Sequence, residues 1–298
     1  MAISSIIITY QPDVDILSKL VLENISLFNY VVIVDNASLN SKEIVELFSH
    51  SDKVKLISLD ENVGIATAQN IGINSLDVDE DELIVFFDQD SSVDETFLKT
   101  LEIGYMELEE KNQSRGVILG PSFFHRKKNF EYPVVKFNKY GLRKKIFVSQ
   151  FNEAVEVSCI ISSGMCVKKS ILDVVGYMED ELFIDYVDTE WCLRAVGLGY
   201  KVFVTPKLVM QHEIGVDNIK LLKWRIPVHS AKRRYYRIRN SFFLGRYKYI
   251  PKLVVFKEVT FSLLHQFILV VLTDDKMQHL KSLYLGVKDG LFVKKVRR

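Results

Sequence analysis

The run Leu83-Ile84-Val85-Phe86-Phe87-Asp88-Gln89-Asp90 decides the fold of this chain. Its five apolar residues are too few for an ordinary helix, include β-branched side chains and stop abruptly at acids, the pattern of a strand buried on both faces. Residues 5–8, 31–34 and 54–57 have the same form. Between them, residues 13–27, 41–49 and 65–76 carry apolar side chains at helical spacing. This alternation predicts an α/β fold with a Rossmann-like, mostly parallel sheet, flanked by helices and joined by right-handed crossovers. Ligands of such sheets gather at the carboxyl ends of the strands.

Farther along the chain, residues 94–111 and 186–198 read as helices, and residues 117–119, 155–161 and 201–204 as strands. Residues 124–148 set Arg126, Lys127, Lys128, Arg143, Lys144 and Lys145 among Phe and Tyr side chains. Two readings of that segment stay open, a hairpin or flap beside the cleft and a solvated surface excursion. From residue 220 the pattern is helical, basic and aromatic, so a C-terminal appendage begins near there.

Composition narrows the field. The 298 residues are 48% apolar and 26% charged with a net charge of +1, which excludes a disordered chain and gives no basic footprint for nucleic acid. Cys159, Cys166 and Cys192 form no CxxC or Cys/His zinc spacing and are expected to be reduced, buried thiols of a cytosolic protein. Residues 3–10 lack a basic leader and are expected to be a strand, not a signal peptide. Residues 253–272 are strongly apolar but interrupted by Lys257, Glu258, His265 and Gln266, so a membrane-spanning helix is not expected.

Four pieces carry chemistry. Asp35-Asn36-Ala37-Ser38 and Asp88-Gln89-Asp90 both follow strands, where a doubly wound sheet builds its site. Asp88 and Asp90 leave one strand-end turn close enough to share a hard divalent cation, which would neutralise a departing diphosphate, although such triplets also occur at ordinary turns. Asn62-Val63-Gly64-Ile65-Ala66-x-Ala68-x-Asn70-x-Gly72 lines a helix start with small residues. That suits either backbone approach to a ligand or tight helix–sheet packing with Asn62 as N-cap. In Asp185-Tyr186-Val187-Asp188-Thr189-Glu190-Trp191-Cys192-Leu193-Arg194, helical spacing puts Asp185, Asp188 and Cys192 on one face and pairs Glu190 with Arg194 as a surface ion pair. Acids also suit a helix start. His212 follows strand-like residues 208–210 and reads as structural or as a ligand.

In this order the pieces resemble the family 2 glycosyltransferases of the GT-A fold, in particular their bacterial rhamnosyltransferase-like members, over roughly residues 3–246. The resemblance implies an inverting, metal-dependent glycosyltransferase. It implies that Thr9, Tyr10, Asp35 and Asn36 bind the nucleotide, with Asp35 near the base or ribose, and that Asn62, Val63, Gly64 and Asn70 line the donor site. Asp88, Gln89 and Asp90 would meet the metal and diphosphate, with His212 completing the shell of a Mg²⁺ or Mn²⁺ ion. Asp188 would be the catalytic base. Ser163, Gly164, Asp185, Glu190 and Trp191 would lie on the acceptor side. The family's adjacent Glu-Asp pair is Val187-Asp188 here, which leaves the base but removes its acidic neighbour. Arg239, in Arg233-Arg234-Tyr235-Tyr236-Arg237-x-Arg239-Asn240, can grip a phosphate with its fork or belong to a basic helix face. The implied donor is dTDP-rhamnose, with UDP-sugars as the alternative. A nucleotidyl-transfer protein is a rival class, but it would carry a glycine-rich loop where Tyr10-Gln11-Pro12 stands.

The expected organisation is a catalytic domain over 1–219, divided into a nucleotide-sugar half over about 1–120 and an acceptor half over about 121–219, and a helical region over 220–298. Bases interleaved with aromatic side chains in that last region, and the basic end Lys294-Lys295-Val296-Arg297-Arg298, suit an anionic membrane surface. A homodimer interface is the competing use. The first would put the protein peripherally on the cytoplasmic face of a membrane, with a lipid-linked glycan of a bacterial surface polysaccharide as acceptor.

Overall fold

In the computed structural model, residues 1–112, 116–211, 218–221 and 224–293 are described. The strands are β1 (Ile3–Thr9), β2 (Val31–Asp35), β3 (Val54–Ser58), β4 (Leu83–Asp88), β5 (Val117–His125), β6 (Phe130–Tyr132), β7 (Val134–Phe137), β8 (Arg143–Ile146), β9 (Val155–Val157), β10 (Cys166–Lys168), β11 (Lys201–Gln211), β12 (Asn218–Leu221) and β13 (Trp224–Pro227). The helices are α1 (Val14–Leu22), α2 (Ser41–Phe48), α3 (Gly64–Asn74), α4 (Glu95–Lys111), α5 (Lys169–Val175), α6 (Val187–Gly197), α7 (Ala231–Phe243), α8 (Lys252–Leu272) and α9 (Lys276–Phe292).

The described strands form a nine-stranded sheet in the order β3-β2-β1-β4-β10-β5-β11-β9, with β6 added to β5. β1 pairs in parallel with β2 and β4, β2 with β3, and β5 with β11, while β10 enters antiparallel between β4 and β5. The sheet is therefore mostly parallel, as the alternation of runs predicts. Residues 155–161 are strand only to Val157, because the chain then leaves β11 and bridges β7 from Cys159. Residues 201–204 and 208–210 are one strand, β11, whose register shifts between Thr205 and Val209. The basic aromatic segment contains β6 and the separate hairpin β7–β8.

Strand pleating divides the core in two. Ile6, Val32, Val34, Ile84 and Phe86 face one way and pack with Ala66, Ala68 and Ile73 of α3, and with Leu172 and Trp191. Ile7, Val31, Ile33, Val85 and Phe87 face the other way, against Leu17 and Leu20 of α1, Ile44 and Phe48 of α2, and Leu101 and Tyr105 of α4. These side chains are buried, so the strands must be apolar on both faces, which explains their unbroken runs. Cys166 and Cys192 are buried, Cys159 is partly buried, and all three are free thiols.

Candidate active site

A cleft of about 570 Å³ opens at the carboxyl ends of β1, β2 and β4. Its floor includes Tyr10, Asn36, Asn62, Gly64, Asp88 and Asp90. Neighbouring strand ends are tied to one another there. The Asn36 side chain accepts from the Val63 amide at 2.9 Å and donates to Asn62 Oδ1 at 3.2 Å, while the Gly64 amide donates to the same Asn62 oxygen at 3.0 Å. Val63 is the N-cap of α3, and Asn62, expected there, serves the helix start from the residue before it. Gln89 reaches across to β1, accepting from the Tyr10 amide at 2.7 Å and donating to the Tyr10 carbonyl at 3.2 Å.

Asp35 lies beneath this floor. It is fully buried, with Thr9 donating to Oδ1 at 3.0 Å and Ser38 bonding it through hydroxyl and amide. Thr9 is buried beside it. Both shape the strand ends and present no surface to the cleft, which corrects the expectation that Asp35 reaches a base or ribose.

The opposite wall is the segment leading into α6. Three non-glycine residues, Phe183, Asp185 and Tyr186, have φ of 61°, 64° and 66°. Each costs of order 1–3 kcal/mol and persists only where the surroundings enforce it. Enforcement comes from both sides. On α3, Asn70 donates to the Met178 carbonyl at 2.8 Å and to Asp180 Oδ1 at 2.7 Å and accepts from the Met178 amide, so it staples the segment and does not line the cleft. On α7, buried Asn240 donates to the carbonyls of Leu182, Ile184 and Asp185 at 2.7, 2.8 and 3.2 Å. Arg239 bonds the Glu181 and Leu182 carbonyls and stacks on Tyr236 and Phe243. Its Nε and Nη2 are taken up by Asn240 Oδ1 and these carbonyls, so the fork braces the wall where a phosphate grip was an alternative. The bases on the cleft surface are Lys232 and Arg233.

Gly64 lets the two sides meet. Its φ is 84°, and a Cβ there would stand 2.6 Å from the Phe183 ring and carbonyl. Phe183 in turn stacks on Tyr236 of α7, ring centroids 4.4 Å apart and 8° from parallel.

Helix α6 begins at Val187, so Asp185 sits on the preceding left-handed turn and shares no helix face with Asp188 and Cys192. Asp185 instead bonds Arg233 at 3.2 Å and Arg237 at 3.3 Å, fastening the wall to α7. Glu190 and Trp191 are fully buried and form no part of the acceptor side. Trp191 donates to the Gly176 carbonyl at 2.8 Å; Glu190 pairs with Arg194 at 2.9 Å and accepts from Tyr249, an interior ion pair where a surface one was expected. Burial holds the Glu190 carboxyl above its ordinary range, although Arg194 and Tyr249 stabilise its charge.

Asp188, at the second position of α6, is partly buried. Desolvation and the Asp88 carboxylate push its carboxyl up to about 7, against hydrogen bonds from the Ser162 amide and hydroxyl, with Asp185 adding to the rise. Asp88 at the end of β4 is thus within electrostatic reach of Asp188. Ser162 arrives on the loop before β10, which is fixed by the Gly164 amide donating to the Phe86 carbonyl at 2.7 Å and by Ser163 lying 3.1 Å from Ser91. Ser163 and Gly164 are buried supports of that loop.

Among the described residues, no group of three or more His, Cys, Asp or Glu is gathered for a metal, and His212 lies outside the described residues. Asp88 and Asp90 still supply hard oxygen donors at the cleft floor, and a magnesium-like ion commonly takes one or two carboxylates and fills its shell with substrate phosphates and water. A carboxylate basic near neutrality and within electrostatic reach of the strand-end acid Asp88 can remove a proton from a hydroxyl next to a bound anion.

The sequence profile of the family described as Glycosyl transferase family 2 matches residues 4–176. A dTDP-rhamnosyl transferase of Shigella flexneri, RfbF, is 40% identical over 289 residues, 97% of this chain and 95% of that protein. The low-salt glycan biosynthesis hexosyltransferase Agl10 of Haloferax volcanii is 24% identical over 297 residues, covering 97% and 91%. Among solved structures, Staphylococcus aureus TarS 1–349 aligns with a TM-score of 0.56 at 16% identity, covering 98% of this chain and 81% of that one. GalNAc-T7, solved with UDP, GalNAc and Mn²⁺, aligns at 0.56 and 13% identity over 92% of this chain, which spans 58% of its length. These two structural likenesses bear on fold alone.

Proposed function

The chain belongs to the family 2 glycosyltransferases and has their GT-A fold; from that premise we propose that it transfers L-rhamnose from dTDP-rhamnose to a glycan hydroxyl with inversion at the anomeric carbon. Identity of 40% to a dTDP-rhamnosyl transferase over nearly the whole of both chains supports the donor. The observation that carries the mechanism is Asp188, a carboxyl at the start of α6 raised to about 7 by burial and by the cleft residue Asp88, with Ser162 donating to it.

Ionised Asp188 takes the proton of the acceptor hydroxyl as that oxygen bonds to the anomeric carbon. On the opposite side the bond to the nucleoside diphosphate breaks, and its electron pair leaves on the diphosphate oxygen. One displacement inverts the centre, and one base suffices. The floor residues Asn36, Asn62 and Tyr10 hold the nucleotide end, and Lys232 and Arg233 offer positive charge to the diphosphate. Asp88 and Asp90 would hold a Mg²⁺ or Mn²⁺ ion, which when bound offsets charge on the departing diphosphate.

The test is thermal shift with dTDP-rhamnose and a panel of UDP-sugars, with and without Mn²⁺, followed by NMR of the product linkage. Stabilisation by dTDP-rhamnose and an inverted anomeric centre are the expected results. Selective stabilisation by a UDP-sugar would replace the donor, and a retained configuration would exclude the single displacement.

A further inference from the structure

The polarity of the C-terminal hairpin is reversed. α8 and α9 pack on each other and on α7, yet the residues they bury are mostly polar or small, namely Ser262, Gln266, His279, Ser282, Gly286 and Gly290, with Val254 and Leu269 as the apolar exceptions. The interior is hydrogen-bonded accordingly. Arg234 of α7 donates to Gln266 Oε1 at 2.9 Å and to the Ser262 carbonyl at 2.8 Å, and Gln266 donates to the His279 carbonyl at 2.7 Å. Glycine allows close approach: a Cβ at Gly286 would lie 2.9 Å from Ile238, and one at Gly290 would lie 2.7 Å from the Phe242 ring. Outward stand Phe256, Phe261, Phe267, Met277, Tyr284 and Phe292, each 63–76% exposed. A helix pair stable in water alone shows the opposite arrangement, and a continuous exposed apolar surface marks a contact with something else.

We infer that this face docks on an anionic lipid bilayer, with α8 and α9 lying in the plane of the headgroup region. Charge selects lipid over a second copy of the chain. Lys252, Lys276, Lys281 and Lys288 are exposed, and Lys281 and Lys288 flank Tyr284 at −3 and +4, on its own helix face. The acids Glu258 and Asp289 turn inward onto Tyr186 and Tyr235, each bond 2.8–2.9 Å, leaving Asp274 and Asp275 outward at the turn. Lysine inside an apolar patch is depleted from protein interfaces, whereas at a bilayer its stem lies along the acyl boundary while the ammonium reaches phosphate. Each such base is drawn electrostatically to an anionic leaflet. The sequence after α9 adds Lys294, Lys295, Arg297 and Arg298.

The depth is set by the inner side of α8. Its 21 residues are long and apolar enough to cross a membrane. Along that length, however, the helix is bonded to the rest of the protein, through Glu258 to Tyr186, Ser262 and Gln266 to Arg234, and His265 to the Pro227 carbonyl at 2.9 Å. A spanning helix would carry those polar partners into hydrocarbon. An in-plane helix keeps them on the protein side. The same α7 that anchors the hairpin through Arg234 braces the active-site wall through Asn240, so docking fixes the height of the cleft above the lipid, as suits an acceptor presented on a membrane. That last step rests on the glycosyltransferase reading; lipid binding itself does not.

The experiment is co-sedimentation of the full chain with phosphatidylcholine vesicles and with vesicles containing one-quarter phosphatidylglycerol, at low and high salt. The parent is expected to bind the anionic vesicles, and F256S/F267S/Y284S to bind at least tenfold more weakly while hydrolysing donor at the parental rate. A second variant, Phe267→Trp, keeps the apolar face and reads depth directly: the fluorescence of the introduced indole should shift to the blue and be quenched by brominated lipid. Absence of binding, equal binding by the triple variant, or an indole signal in F267W that brominated lipid leaves unquenched each overturns the proposal. If light scattering then shows a dimer that the triple variant dissociates, a second copy covers the face. Because no donor or turnover is needed for the vesicle assays, their failure leaves the rhamnosyl reading standing, and failure of that reading leaves these assays unaffected.

Discussion

The floor and the wall of the cleft are made by different means. The floor is assembled from adjacent strand ends, with Asn36, Asn62, Gly64 and the Gln89–Tyr10 pair bonded across neighbouring turns of one parallel sheet. The wall, from Met178 to Asp188, is held in left-handed backbone conformations by side chains from two helices, Asn70 of α3 and Asn240 of α7. A floor made this way is a by-product of the fold. The wall is imposed, so its residues divide into the proposed base, Asp188, and several that hold. The comparison makes a kinetic forecast: floor changes act on donor binding, wall changes on turnover.

Asp188→Asn tests the reacting position. Transfer should fall by about 100-fold to 10,000-fold, the usual cost of a lost general base, with donor affinity nearly unchanged. Transfer within threefold of the parent sinks the assignment.

Asp90→Ala and Glu190→Gln separate two acids. The first should abolish the Mn²⁺-dependent part of donor affinity, several kcal/mol roughly, while the melting temperature stays put. The second breaks a buried pair with Arg194 and should lower the melting temperature without selectively removing metal dependence. Donor titrations with and without Mn²⁺, beside calorimetry, distinguish them; equal loss of metal dependence in both means that the cation site is misplaced.

Asn240→Leu keeps the branched skeleton and removes the amide that serves three carbonyls. Leaving such groups unpaired costs about 1–3 kcal/mol, so turnover should drop roughly tenfold to a hundredfold with donor KM little changed. A change confined to KM would erase the distinction between wall and floor. Asn62→Ala, on the floor, should do the converse, raising donor KM by about fivefold for roughly 1 kcal/mol of lost hydrogen bonding.

The pH dependence is smaller but has a definite sign. As the proposed base, Asp188 must be ionised to act, so transfer should rise with pH up to a plateau above about 7. In stability the same shift acts oppositely. The carboxyl is 3.8 when unperturbed and about 7 when folded, so the native state loses stability as pH rises between those values. Asp188→Asn should therefore gain stability over the parent across that interval, as urea melts at pH 4.5 and 7.5 would record.

The same division governs what can be read from the sequence. Floor elements follow local rules: residues 31–34 and 54–57 are strands to within one residue, and Asp88 and Asp90 stand at a strand end as their pattern demands. The wall is legible only in part. Asp188 is reached through the family resemblance, but helical spacing wrongly places Asp185 on its face, because three departures into positive φ within four residues leave no mark on apolar periodicity. Nor does Asn240 announce itself, since its three carbonyls lie 55–58 residues upstream. The available signal is the spacing of Tyr236 and Asn240, which share one helix face, as do Arg233 and Arg237. Strand β10 escapes for a plainer reason, being three residues long.

That short strand has a consequence during synthesis. β4 is complete at Asp88, but one of its edges stays unpaired until Cys166–Lys168 leave the ribosome. For the intervening stretch the nascent chain presents Leu83 to Phe87 as an open apolar strand, the kind of edge that recruits another chain. A fragment ending after α4 is thus expected to be a good aggregation seed, and chaperone demand should peak before residue 166 and fall once it has passed.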